Sequence, residues 1–446
     1  MTQDTTKQSF YPSRWVAGLL ALWFFVLPFE RLPTLEYAGF TVKISYIVGL
    51  AVLLFWLWGR SKLSFRPSDW WLAAFWSAAL LGLLSSPSPP RSIIVFLMWS
   101  FVFLLYFAVS RLMVKYGAYL KIEKVILITA AIVCLFGLFQ FIGDSFGLPS
   151  TITGLRDFYT HTVLGYPRIQ SVALEPLYFS NFLLAPLFLA LKQSSEMNKL
   201  WNKYQWLAIL ILVNIILGFA RGAYLALIIS LIILAIYLLY QRKIRPLVSV
   251  FGAIIISLVI SYGFIVLSTR QLNLRDIARH TIAQDTQSSD SVGGRLGTYR
   301  LAWQQFRTKP ILGHGPGSFG PLATPNNQSL NGYGIVNNEY LEILAETGAV
   351  GLMVFLGFLV TLAYEAWRGY NRSDSAKRQT IFYLGLGLLA VFIQYNFFST
   401  LYIIYIWAFL ALLRSQFDNP NNVILKPTPP TPPLVKGRTG GVVSGR

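Results

Sequence analysis

The amino-acid sequence predicts an all-α, polytopic integral membrane protein with about twelve transmembrane helices and one large extracytoplasmic loop. Three observations predict this. The chain is 55% hydrophobic with a mean hydropathy of +0.55, and only 12% of its residues are charged. A soluble protein of this size carries about twice that charged share. The apolar residues form blocks rather than amphipathic stripes, each roughly the length needed to cross about 30 Å of hydrocarbon as helix. Lipid offers no partner to backbone N–H and C=O groups, so a spanning block must satisfy them internally as a helix.

The blocks lie at 15–29, 42–58, 70–85, 92–110, 122–142, 173–191, 204–220, 222–240, 246–268, 339–366, 380–397 and 399–413. Trp15, Trp56, Trp58, Trp70, Trp71, Tyr204 and Trp206 stand at block edges, where amphipathic rings anchor at the interface. The stretch before about Ser13 is polar and shows no small-residue cleavage site, so the first block reads as a retained signal anchor. A break falls at Arg221-Gly222 because the surrounding apolar run is too long for one span. The last two blocks are short and closely joined. The spans show no internal repeat, which weakens a transporter built on inverted repeats. The single Cys134 lies inside an apolar block and allows no intrachain disulfide.

Lysine and arginine sort by side. With the N-terminus in the cytoplasm, 24 of them fall on the cytoplasmic side and 13 on the other, as the positive-inside rule requires. The formal net charge of +19 therefore reads as topological and implies no nucleic-acid partner. Both termini are expected in the cytoplasm, the C-terminal one on a Pro-, Gly- and Thr-rich tail that reads as disordered. Of the 13 outer cations, 11 are arginine and only Lys43 and Lys309 are lysine. Topology does not require that bias. The guanidinium fork grips phosphate with two hydrogen bonds and never deprotonates, so the outer face hints at an anionic ligand.

Two outer loops are long, 143–172 and 269–338. The organisation is thus helices one to nine over 1–268, the extracytoplasmic loop 269–338, helices ten to twelve over 339–414 and the tail 415–446. Within the large loop, 295–307 reads as a helix with Leu296, Tyr299, Trp303 and Phe306 on one face and Arg300, Gln304 and Arg307 on another. Pro310 and the Gly-rich GHGPGSFG at 313–320 end it.

Several residues could carry chemistry. Arg221 sits at the outer end of two spans, as a snorkelling interface arginine or as a cation held to meet a lipid-bound phosphate. Glu175, reached from Arg168 through the first long loop, lies near the membrane boundary; it is either salt-bridged or a general base. Arg295 and Arg300 flank the start of the loop helix, as a solvated face or a second anion clamp. Glu339, Glu342 and Glu346 recur at i, i+3 and i+7 and share a helix face. A helix N-terminus suits Glu339 but explains Glu346 less well, so a polar seam facing the loop is the sharper reading. The histidines His161, His280 and His314 show no ligand spacing, and no metal is assigned. Walker, Rossmann and G-x-S-x-G motifs are absent. Energy must then come with the substrate or from a gradient.

At these residues the chain resembles a known family. GGRLGTYRLAWQQFRTKPILGHGPGSF (293–319) and NNEYLEILAETGAVGLMVFL (337–356) are similar to the signature of the O-antigen ligase and Wzy-type polymerase superfamily. The resemblance implies a GT-C-like membrane glycosyltransferase that takes undecaprenyl-pyrophosphate-linked glycans, without a metal or other cofactor, in a bacterial plasma membrane. Membrane lipid and a chain-length regulator protein are further implied partners. By position, pyrophosphate binding carries onto Arg221 and Arg295, and more loosely onto Arg168 and Arg300. The ligase pattern has His before Asn where this chain has Asn337-Asn338. Asparagine cannot take a proton at neutral pH. Glu175, Glu339 or His314 could replace a histidine base, or Asn337 could orient the acceptor hydroxyl. The departure favours an inverting polymerase of O-antigen or exopolysaccharide over a ligase that transfers glycan to lipid A core or protein. A transporter or flippase for the same lipid is the alternative from another class. The near-outer placement of the intramembrane charges disfavours it.

Overall fold

The computed structural model describes residues 13–32, 35–37, 40–59, 65–160, 165–197, 199–268, 292–324 and 334–417. His161, His280, the first twelve residues and the tail from 418 lie outside them. The helices are α1 (Ser13–Val26), α2 (Ile44–Trp58), α3 (Pro67–Gly82), α4 (Pro89–Tyr116), α5 (Tyr119–Ser145), the one-turn α6 (Ser150–Thr153), α7 (Pro176–Glu196), α8 (Lys203–Leu217), α9 (Arg221–Tyr240) and α10 (Ile244–Ser268). They continue with α11 (Val292–Thr308), the short α12 (Phe319–Ala323), α13 (Glu339–Arg372), α14 (Ser375–Gln394) and α15 (Ile404–Phe417). A two-stranded antiparallel hairpin, β1 (Leu35–Tyr37) and β2 (Phe40–Val42), is the one departure from an all-α chain among the described residues.

Each of the twelve apolar blocks coincides with a helix. Six of those helices are long and apolar enough to cross a membrane: α4, α5, α9, α10, α13 and α14. Four more are apolar but shorter, below the roughly 17 residues that a straight crossing needs. The chain is therefore a multi-pass membrane protein. The break expected between 220 and 222 is real: α8 stops at Leu217 and α9 starts at Arg221, with Phe219 in the left-handed region at φ 48°. The two short C-terminal blocks are separate helices joined by residues 395–403.

Burial divides the bundle into an inside and a lipid-facing rim. In α7 every residue from Phe179 to Leu191 is buried, and α15 is buried along almost its whole length. α14 packs on α7 and α9, α15 on α4, α3 on α13, and α10 on α8. By contrast α9 and α10 expose Ile228, Ile232, Ile236, Ile255, Leu258 and Val259, an apolar surface that only lipid can cover. Trp15, Trp58, Trp70, Trp71 and Trp206 are exposed, as anchors should be, but Trp56 is buried in the core. Cys134 is buried too.

Several buried charges are paired across helices. Glu123 accepts from Lys192 at 2.9 Å, joining α5 to α7. Asp69 on α3 is gripped through both carboxylate oxygens by Arg414 on α15, with Arg111 3.6 Å away. Lys43 pairs with Glu30, whose other oxygen accepts from the Leu174 amide at 3.2 Å. Removing one member of such a pair costs about 3–5 kcal/mol, because the other stays buried without its partner.

The described parts of the two long loops, 143–160 and 165–172 of the first and 292–324 and 334–338 of the second, lie at one end of the bundle, the loop end. The first is fastened there by side chains from the α1–α2 connection and from α5. Arg31 donates to Gly154 O at 2.6 Å, and Gln140 bonds both the amide and the carbonyl of Ser171 at 2.7 and 3.0 Å.

Candidate functional site

The loop helix α11 docks on the first turns of α13 through a small core of its own: Ala302, Phe319, Val336 and Ala345, flanked by Tyr299 and Leu341. Its inward side differs from the one the apolar spacing suggests. Thr298, Tyr299, Ala302 and Gln305 face the protein, while Leu296 and Trp303 are half exposed. The reason lies in the partner surface. The Val336 and Asn337 carbonyls accept from the Thr298 and Tyr299 hydroxyls at 2.8 and 3.3 Å, so hydrogen-bonding groups turn inward.

The Gly-rich segment after α11 locks onto a break in α13. At Gly348 the helix is interrupted with φ 67° and ψ −172°. The groups freed by the break are paired by the loop: Ala345 O and Glu346 O accept from the His314 and Gly315 amides, and the Ala349 and Val350 amides donate to Pro310 O and Ile311 O. Both chains need glycine at the crossing. A Cβ on Gly313 would stand 2.4 Å from Glu346 backbone atoms, and one on Gly348 2.2 Å from Ile311 O. Both also have positive φ, which glycine adopts without steric cost. The sequence motif is therefore a backbone interlock.

The three glutamates share one buried side of α13, and each holds a different loop segment. Glu346 accepts from the Gly317 and Phe319 amides at 2.8 and 3.2 Å. Glu342 accepts from the Val336 amide at 3.1 Å, and Glu339 from the Thr400 amide at 2.5 Å. They line a cavity of about 40 Å³ with Arg91, Ser399, Thr400 and Tyr402. That volume holds about three waters. It is far too small for a sugar ring.

Two of the expected site residues, Asn338 and Glu339, bond a segment that sequence reasoning did not single out, the α14–α15 connection. Asn396 O accepts from the Tyr299 hydroxyl at 3.0 Å and from Asn338 Nδ2 at 3.4 Å. Phe397 packs so closely on Gly222 that a Cβ there would meet its ring at 2.7 Å. Thr400 bonds Glu339 and lies 3.2 Å from the Tyr178 hydroxyl. Gln394 bonds Asn181 and the Leu177 carbonyl of α7. The starts of α7, α9 and α13 and the middle of α11 thus meet at residues 394–400. The available signal was a set of polar residues, Gln394, Asn396, Ser399 and Thr400, inside an otherwise apolar run. Arg91, which follows a Pro-Pro pair at the start of α4, was also passed over.

Arg221 is the first residue of α9 and is exposed. Arg168 reaches the same corner: its Nε donates to Gly218 O at 3.4 Å and its guanidinium lies over the Tyr159 ring. Arg295 is one turn before Tyr299 on α11, with its Nε buried and without a hydrogen-bond partner among the described residues. Arg300 is exposed. Five residues separate it from Arg295, which turns the two about 140° apart around the helix. They do not form one clamp. Glu175 is the N-cap of α7, half-buried, and its side chain caps no amide.

Asn337 has φ 59°, a conformation that asparagine tolerates better than most residues. Asn338 caps α13, accepting from the Leu341 amide at 3.0 Å. His314 is away from the carboxylate cavity. Its Nε2 lies 3.0 Å from Gln305 O and 2.8 Å from Thr308 Oγ1, tying the glycine loop to α11. Burial pushes its pKa below the ordinary histidine value, and Lys309 lowers it further, against the opposing effect of the Gln305 bond.

No group of three or more metal-ligating side chains occurs among the described residues. Comparison with known proteins matches residues 206–356 to a family model described as O-antigen ligase, Wzy_C. No curated protein matches the chain. The matched stretch runs from α8 across the loop helix and the interlock into α13, so it contains Arg221, Arg295, Arg300, His314 and the Asn337–Glu346 segment. The similarity to the O-antigen ligase family model thus covers residues 206–356, about a third of the chain.

Proposed function

We propose that this protein is a glycan polymerase that joins undecaprenyl-pyrophosphate-linked repeat units at the outer face of a bacterial plasma membrane, with the loop end outside and both termini in the cytoplasm. The observation that carries the reading is the convergence on residues 394–400. Gly222, next to Arg221, packs on Phe397; Arg168 bonds Gly218 O, three residues before Arg221; and Tyr299, one turn from Arg295, bonds Asn396 O. In a transfer from a pyrophosphate carrier, negative charge grows on the leaving group. Fixed cations aimed at it lower the barrier. Arg221 and Arg295 are the proposed clamp, Arg168 supports it, and Arg300 is a separate, outer contact. The acceptor hydroxyl attacks C1, the C1–O bond to pyrophosphate breaks with inversion, and the hydroxyl proton passes to a base. Glu175 is the proposed base, the half-buried carboxylate at the N-cap of α7 at the loop end.

A lipid tail has a place to lie. A cleft of about 720 Å³ runs between α9, α13 and α14, lined by Leu359, Leu362, Leu386, Leu389 and Phe392. The Tyr237–Tyr370 hydroxyl contact, 3.1 Å, joins α9 to α13 at the end away from the loops.

Asn337 supports polymerase over ligase, because its side-chain amide cannot take a proton at neutral pH. Ligation to lipid A core or protein is the second reading, since the family model itself is described by that reaction. Deleting the gene and resolving surface and lipid-linked glycans by size tests both. Single repeat units delivered without a long-chain ladder support the polymerase. Long chains stalled on the carrier lipid would identify a ligase, and an unchanged profile would remove both.

A further inference from the structure

Arg300 belongs to a pattern on α11 that glycosyl transfer does not explain. Leu296, Arg300, Trp303 and Arg307 follow one another at i, i+4, i+7 and i+11, a single stripe along the helix. All four are exposed, Leu296 at 49% and Trp303 at 50%. The side chains that hold α11 to the protein point elsewhere: Thr298 and Tyr299 to the Val336 and Asn337 carbonyls, Ala302 into the small core. A side that met only water would have no use for a half-exposed leucine and tryptophan. Large apolar groups alternating with arginine make up a helix that lies in a membrane interface.

The position of α11 agrees with that composition. Lys309, just past its C-terminus, donates to Ser85 O at 2.9 Å, three residues beyond α3. Tyr299 in its middle donates to Asn396 O at 3.0 Å, two residues beyond α14. The helix therefore lies across the loop ends of the membrane helices, at their depth. Beside its C-terminus, Leu84 is 88% exposed, and Ile311 and Leu312 are also exposed. They continue the apolar surface of Leu80 and Leu81 on α3.

We infer that α11 is a membrane-surface helix: Leu296 and Trp303 bed into the acyl boundary at the loop end, while Arg300 and Arg307 hold lipid phosphates. The bilayer is the occupant because the stripe continues a lipid-facing surface and its cations complement anionic headgroups. The helix that carries Arg295 is then held at headgroup depth by the lipid itself.

The test uses the full chain in nanodiscs. Cys134, the single cysteine, is buried, so introduced cysteines can be spin-labelled selectively. Leu296→Cys and Trp303→Cys report on the stripe. Gly297→Cys reports on the flank of the helix about 100° round from Leu296, where an added Cβ meets open space. Labels at 296 and 303 are expected to collide more with oxygen than with a water-soluble nickel chelate, and the label at 297 to show the reverse. Equal exposure to the chelate at all three positions would overturn the inference. So would labels at 296 and 303 that are open to the chelate in nanodiscs but shielded in native membranes, the mark of a protein partner. Immersion at 303 is expected to be deeper with anionic than with zwitterionic lipid, and Arg307→Gln is expected to abolish that difference. Identical depth in both lipids would overturn the arginine–phosphate contact.

Discussion

Glu339, Glu342 and Glu346 each accept a hydrogen bond from a backbone amide of a neighbouring segment, whereas Arg221 and Arg295 form no ion pair among the described residues. Both sets are polar groups at the same end of the same membrane protein. A buried carboxylate without donors is costly, so the glutamates were matched to amides as the fold formed. Arg221 is exposed at the rim, where water solvates it until a ligand arrives, and Arg295 keeps a buried Nε with no hydrogen-bond partner among the described residues. The difference separates groups that build the site from groups that are available to a substrate.

The sharpest way to break that comparison is at the interlock. Gly348→Ala puts a methyl group 2.2 Å from Ile311 O at a residue with φ 67°. We expect loss of the monodisperse folded protein, read by size exclusion in detergent. A folded variant would show that the glycine loop and α13 do not depend on this crossing. Next in size are Arg221→Ala and Arg295→Ala. Each should lower glycan transfer about 10²–10³-fold, the scale of losing one donor to a developing negative charge. Thermal midpoints should hardly move, because the removed side chains hold nothing else. Full transfer in both variants would remove the pyrophosphate clamp. Glu346→Gln keeps the shape but loses one acceptor, and should cost stability of about 1–3 kcal/mol while transfer per folded molecule is retained. Abolished transfer at an unchanged melting temperature would put Glu346 among the reacting groups and collapse the distinction.

The smallest expected effect is a pH dependence. Burial holds the His314 pKa below its ordinary value. The folded state thus binds that proton less readily than the unfolded chain. Its contribution to stability is present above about pH 6.5 and declines as the pH falls below it. His314→Asn should flatten that acid limb in thermal unfolding measured across the range. An unchanged limb would place the titration elsewhere.

Much of the fold was legible residue by residue. The twelve blocks, the break at Arg221-Gly222 and the common side of Glu339, Glu342 and Glu346 all follow from hydropathy and helical period. The inward side of α11 did not, because apolar spacing favoured Leu296 and Trp303, and two carbonyls of the Asn337 segment selected hydroxyls instead. Trp56 was misplaced for a similar reason. Its position at a block edge suited an interface anchor, but the side of α2 it occupies faces the core.

The sequence by itself determined where the helices run and which end carries the arginines. Crossing hydrocarbon is a local requirement on length and polarity, and the charge bias of the loops is a sum over short stretches. Only the tertiary structure decided which polar groups are satisfied. Thr298 meets Val336, Arg31 meets Gly154, and Tyr299 meets Asn396 across 38, 123 and 97 residues. Hydrogen bonds are directional and short, so whether a given arginine is occupied depends on packing that no local window contains.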